Sequence, residues 1–104
     1  MLHRAATLSD LKPDDILGVK LGDCLIALML IDGTVYATDD VCSHALCQFS
    51  EYGIAMGLEL ECACHGGSFF IPTGEAMHLP ATEPISVFPT TVMGSEVYIE
   101  LPDE

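Results

Sequence analysis

Positive charge is what this chain has least of. Across 104 residues only Arg4, Lys12 and Lys20 are Lys or Arg, against 16 Asp and Glu, and the formal net charge is −13. Residues 21 to 104 hold thirteen of those acids and no Lys or Arg. Neutralising phosphates requires a basic surface, so the composition excludes nucleic acid as a partner. A basic protein suits it, because a field of one sign raises encounter rates in a salt-dependent way. The same acidity also serves solubility alone. Long apolar runs are missing too: the longest, Cys24 to Ile31, has eight residues, far short of the roughly 20 that a membrane helix needs. The opening Met-Leu-His-Arg-Ala-Ala is not followed by an apolar signal-type stretch. These absences point to a soluble cytoplasmic protein with no membrane partner. Charged residues make up 18% and hydrophobic ones 50%, which excludes disorder. The length suits one domain, residues 1–104, around a single core.

Helical periodicity is also absent, and short segments of strand character take its place. His3 to Leu8, Ile16 to Leu21, Thr34 to Thr38, Ser68 to Ile71, Ile85 to Phe88, Thr90 to Met93 and Glu96 to Leu101 read as strands between turn residues. Cys24 to Ile31 is apolar on both parities, as expected of a strand covered on both faces, with Cys24 as a small buried hydrophobe. Asp32-Gly33 is the strongest hairpin signal, and Gly94-Ser95 marks a second tight turn. Gln48 to Gly57 reads as irregular, with turns at Tyr52-Gly53 and Met56-Gly57, whereas Leu58-Glu59-Leu60-Glu61 alternates and delivers Cys62 at a strand end. Pro80 and Pro84 keep His78 to Pro84 out of any central sheet. This punctuation predicts an all-β antiparallel sandwich or barrel.

Chemistry concentrates in two short motifs, Cys42-Ser43-His44 and Cys62-Ala63-Cys64-His65, with seventeen residues between His44 and Cys62. Each supplies a thiolate and an imidazole at short spacing. Two tight loops brought together would offer a metal two sulfur and two nitrogen ligands. That set suits an asymmetric two-iron cluster, and it equally suits a structural zinc ion.

The pattern resembles the Rieske [2Fe-2S] proteins, whose signature is Cys-x-His followed by Cys-x-x-His. Gly66-Gly67, the strand-like Ser68-Phe69-Phe70 and the turn Pro72-Thr73-Gly74 extend the resemblance, and from Val35 onward the chain looks like the small Rieske ferredoxins of bacterial ring-hydroxylating oxygenase systems. The resemblance implies a Rieske fold, with an antiparallel β-sandwich base and an inserted cluster-binding subdomain at about 40–72. It implies a [2Fe-2S] cofactor held by Cys42 and Cys62 on one iron and by His44 and His65 on an outer one. The implied role is that of a soluble, monomeric electron carrier. It would pass single electrons from an NAD(P)H-dependent flavin reductase to a terminal Rieske non-haem iron oxygenase in aromatic compound degradation, docking transiently near His44 and His65. Two alternatives stay open: a small Rieske subunit of another oxidoreductase such as nitrite reductase, and a zinc-stapled interaction module.

Two ferric ions, two sulfides and two thiolates sum to zero charge, so a cluster with imidazole ligands accepts an electron more readily than one with four thiolates; its range is about −150 to +300 mV. High-potential relatives carry a Ser and a Tyr whose hydroxyls bond to the cluster, where this chain has Gly67 and Phe69. The comparison implies a potential in the negative part of that range. Cys47 and Cys64 match the spacing of the disulfide-bearing type, which makes them a candidate bond, although disulfides are rare in the cytoplasm. Leu46, Gln48, Pro80 and Pro84 are implied to shield the cluster or to shape the docking face. His3 and His78 are left outside the ligand set, and Met29, Met56, Met77 and Met93 are read as space-filling.

Overall fold

The computed structural model describes residues 2–13, 15–22, 24–41, 48–62, 67–78 and 83–101. Eleven strands appear among them: β1 (Leu2–Thr7), β2 (Ile16–Leu21), β3 (Cys24–Ile31), β4 (Thr34–Asp39), β5 (Gly53–Met56), β6 (Glu59–Cys62), β7 (Ser68–Phe70), β8 (Ala76–His78), β9 (Val87–Phe88), β10 (Thr90–Met93) and β11 (Glu96–Glu100). One short helix, α1 (Phe49–Tyr52), precedes β5. The strands form three antiparallel sheets, ordered β1-β11-β10, β2-β3-β4-β9 and β5-β6-β7-β8.

β3 explains how the sheets stack. Its Ile26 and Leu28 join a core with Ala6, Leu11, Val35, Ala37, Val97, Ile99 and Leu101. Its Ala27, Met29 and Ile31, on the other parity, join a second core with Phe49, Leu60, Cys62, Phe69, Ile71 and Ile85. Side chains alternate faces along a strand, so a strand apolar on both parities must be covered twice. The sheet containing β3 is therefore the middle layer. Residues from Ile26 to Met29 are fully buried, each large side chain contributing about 1.5–3 kcal/mol of transfer free energy.

The β5–β8 sheet is an insertion, because β4 leaves the middle sheet before it and β9 returns after it to pair with β4 through Ala37–Phe88 and Thr38–Val87. Asp39 fastens the return. Its N–H donates to the Ser86 carbonyl at 2.9 Å, and its carboxylate accepts the Ser86 N–H at 3.2 Å. A sandwich base with an inserted sheet is the all-β architecture expected from the sequence.

Some local expectations need correction. Gln48 to Gly57 is not irregular: Phe49–Tyr52 is helical and Gly53–Met56 is a strand paired with β6. The turn falls at Gly57-Leu58, so the strand that delivers Cys62 begins at Glu59. Cys24 is exposed, not buried, because it opens β3 opposite Leu21, at the end of the ladder where no second layer covers it. Met29 fills core space, but Met56, Met77 and Met93 are exposed on β5, β8 and β10.

Candidate metal centre

The first candidate-ligand motif, 42–44, comes just after the end of β4 in the sequence. An antiparallel bridge between Val41 and Gln48 brings together the two residues that flank 42–47. Asp40 controls the mouth of that segment. The Asp40 N–H donates to the Leu25 carbonyl at 3.0 Å, and the Asp40 carbonyl accepts the Phe49 N–H at 2.7 Å. Its carboxylate, on a residue only 2% exposed, accepts the Ser50 N–H at 2.8 Å on Oδ1, with the Ser50 hydroxyl at 2.6 Å and the Gln48 amide at 3.3 Å both on Oδ2. Burial follows parity, since Asp40 continues the row of Tyr36 and Thr38 that faces the second core.

The second segment is the end of a hairpin. Along β6 the alternation turns Leu60 and Cys62 into the core and leaves Glu59 and Glu61 on the outer face. Pairings Leu60–Phe69 and Glu61–Ser68 bring β7 back alongside. The Cys62 N–H donates to the Gly67 carbonyl at 2.7 Å, which draws the ends of 63–66 together. Cys62 itself is 1% exposed and its thiol is free.

The two mouths lie side by side. Gly53, the first residue after α1, pairs directly with Cys62, so one four-residue helix separates the base of the first loop from that of the second. The residues leaving each loop also touch. Phe49 and Phe69 pack edge to face, with ring centroids 5.7 Å apart and planes at 87°, a geometry worth about 0.5–1.5 kcal/mol beyond area burial. Both rings are buried within the core that contains Cys62.

Of the four ligand candidates, Cys62 is described, while Cys42, His44 and His65 lie outside the described residues, as do Cys47, Cys64, Leu46 and Pro80. Among the described residues no group of three or more His, Cys, Asp or Glu gathers as a metal site. His78 stands on β8, exposed, with Nε2 3.6 Å from a Glu59 carboxylate oxygen. Gln48 belongs to the loop mouth, and Pro84 is exposed. Sequence reasoning missed Asp40, Phe49 and Ser50. The parity of β4 offered a signal for Asp40, but a four-residue helix has too few positions for periodicity to reveal the other two.

The residues present fit an iron-sulfur group. Cys62 holds an unengaged thiol at a loop mouth, shielded from water by apolar neighbours, and a buried apolar shell of this kind controls solvent access to a metal centre. The motifs on either side supply further sulfur and imidazole donors.

Comparison with known proteins agrees. The model of the Rieske [2Fe-2S] domain family matches residues 2–89. The ferredoxin component of the naphthalene 1,2-dioxygenase/salicylate 5-hydroxylase systems of Ralstonia sp is 36% identical over 97 residues, covering 93% of this chain and 92% of that protein. Among solved structures, the Sphingomonas yanoikuyae B1 ferredoxin superposes with a TM-score of 0.91 at 31% identity, covering 98% of this chain and 100% of the other. A chain from the complex of reduced oxygenase and oxidized ferredoxin in carbazole 1,9a-dioxygenase gives a TM-score of 0.87 at 34% identity, over 94% of this chain and 91% of that one.

Proposed function

This chain belongs to the Rieske [2Fe-2S] family, and on that footing we propose that it passes single electrons from an NAD(P)H-dependent flavin reductase to a terminal Rieske non-haem iron oxygenase acting on aromatic compounds. Its relatives are ferredoxin components, carriers within multicomponent dioxygenases, so its role is electron transfer and the chemistry on substrate belongs to a partner. The observation that carries the reading is that nearly the whole of this chain corresponds to nearly the whole of such a component.

We assign Cys42 and Cys62 as the thiolate ligands of the [2Fe-2S] cluster and His44 and His65 as the imidazole ligands, within a cluster-binding unit at about 40–72. Bound there, the cluster supplies reversible one-electron chemistry. The chain's own part is to hold and shield. β6 brings Cys62 into the core, the Cys62–Gly67 bond closes the second loop, and the Phe49–Phe69 contact keeps both loop exits in register. Cys47 and Cys64 form the candidate tie between the loops. Docking takes place near His44 and His65, transiently and by a monomer in the cytoplasm, since a shuttle works through a small interface below about 1,200 Å².

Reconstitution tests the proposal. Adding the purified protein to an aromatic-ring oxygenase and a flavin reductase with NAD(P)H is expected to switch on product formation. The net charge of −13 should make the rate fall as ionic strength rises, because the Debye length shrinks from about 10 Å at 0.1 M salt to 3 Å at 1 M. Turnover that ignores the added protein would contradict the shuttle.

A further inference from the structure

Among the described residues Asp40 is the only acidic one that is buried, and electron carriage by itself does not account for it. A carboxylate removed from water is costly unless it is fully hydrogen-bonded. Among the described residues its side-chain partners all come from just beyond the first loop: the Ser50 N–H at 2.8 Å, the Ser50 hydroxyl at 2.6 Å and the Gln48 amide at 3.3 Å. Both oxygens are occupied by donors, the arrangement an ionised carboxylate takes, and such charge-assisted bonds are about twice as strong as neutral ones. The residue two positions before Cys42 thus grips residues one and three positions after Cys47.

The grip rests against another strand of the middle sheet. At Gly18 on β2 an added Cβ would stand 2.5 Å from the Ser50 Oγ, 2.7 Å from the Ser50 Cβ and 3.2 Å from an Asp40 carboxylate oxygen. Contacts under 3.0 Å are not tolerated without displacement, so the glycine is what lets Ser50 and Asp40 lie against the backbone of the middle sheet.

We propose that Asp40, Ser50 and Gly18 form a brace that fixes the mouth of the 42–47 loop against the middle sheet, which makes Asp40 and Ser50 positioning residues for the metal centre. The inference rests on the ligand assignment above, since the brace acts on the centre through Cys42 and His44. Groups that hydrogen-bond metal ligands directly typically govern about 10- to 100-fold in metal affinity, and the brace acts instead on the two ends of the segment that carries the ligands.

The test uses the cluster-loaded protein and three variants, Ser50→Ala, Asp40→Asn and Gly18→Ala, with Gly94→Ala in the distant β10–β11 turn as a stability control. Ser50→Ala removes the hydroxyl bond and keeps the backbone one. Gly18→Ala drives a methyl group into Ser50 from β2 of the middle sheet. Both are expected to release iron to a chelator about 10-fold faster or more and to shift the electron paramagnetic resonance g-values. Asp40→Asn takes a negative charge from beside the loop and is expected to raise the midpoint potential. Gly94→Ala should lower thermal stability and leave potential and g-values unchanged. Should Gly18→Ala fail to fold, Ser50→Ala and Asp40→Asn decide the matter. If the variants lose thermal stability yet keep the wild-type release rate, potential and g-values, the brace serves the fold alone and the proposal is overturned. Wild-type protein without iron or sulfide overturns the ligand assignment and the brace together, an outcome distinct from the first.

Discussion

Gly67 and Phe69 bracket the point at which the chain turns from the second loop into β7, and neither has a side chain that donates a hydrogen bond. Phe69 is fully buried against Phe49, and Gly67 is buried with its carbonyl engaged by the Cys62 N–H. An electron added to the centre increases its negative charge, and donors aimed at its sulfurs stabilise that state. Gly67→Ser and Phe69→Tyr are therefore each expected to raise the midpoint potential, and the double variant to raise it further, as read by protein voltammetry. An unchanged potential would mean that these positions do not set it. At this scale the Cys and His motifs stand out in the sequence, and of their four candidate ligands the structure describes Cys62, whose thiol lies at a sheltered loop mouth, while Cys42, His44 and His65 lie outside the described residues. The sequence was less legible where burial depends on neighbours distant in sequence. Cys24 sits in an apolar run but at the uncovered end of its ladder, and Asp40 is polar yet buried because its partners fold back over it.

Elements were readable to the extent that their signals are local. Asp32 and Gly33 both adopt positive φ, 51° and 80°, as a type I′ hairpin requires, and β3 and β4 pair in register on either side. Helix α1 and strand β5 carry no such signal; they exist because Phe49 packs on Phe69 and because Gly53 to Met56 find β6 as a partner. The turn after β7 shows the same dependence on distant chain. Gly74 has φ +80°, donates its N–H to the Phe70 carbonyl at 2.7 Å, and accepts the Ile85 N–H at 2.9 Å. An added Cβ there would collide with the Ile85 carbonyl oxygen, whereas at Gly94, with φ +64°, it would meet nothing within 4 Å. Gly94→Ala should cost about 1–2 kcal/mol, the penalty of the left-handed conformation. Gly74→Ala carries that penalty plus a backbone clash, so at roughly 4–8 °C per kcal/mol for a domain of this size its melting temperature should fall further than that of Gly94→Ala. Equal losses in thermal denaturation would show that the turn and the Ile85 segment are not packed as described.

Viewed whole, the molecule is three sheets sharing two cores, with the middle sheet acting on both sides. The outer β1-β11-β10 sheet completes one core, and the inserted β5–β8 sheet completes the other, with the two loop mouths set at opposite ends of the four-residue α1. That layering was implied by the two-sided apolarity of β3, but which sheets would cover it was not, because the pairing of β1 with β11 and of β4 with β9 joins residues far apart in sequence. Electron carriage by this chain depends on a two-iron centre at those mouths. Metal and acid-labile sulfide analysis of anaerobically purified protein, read together with the electron paramagnetic resonance spectrum of the reduced form, tests this most directly. The expected result is about two iron and two sulfide per chain with a rhombic signal, lost in Cys62→Ala. A colourless protein holding zinc and no sulfide would contradict it.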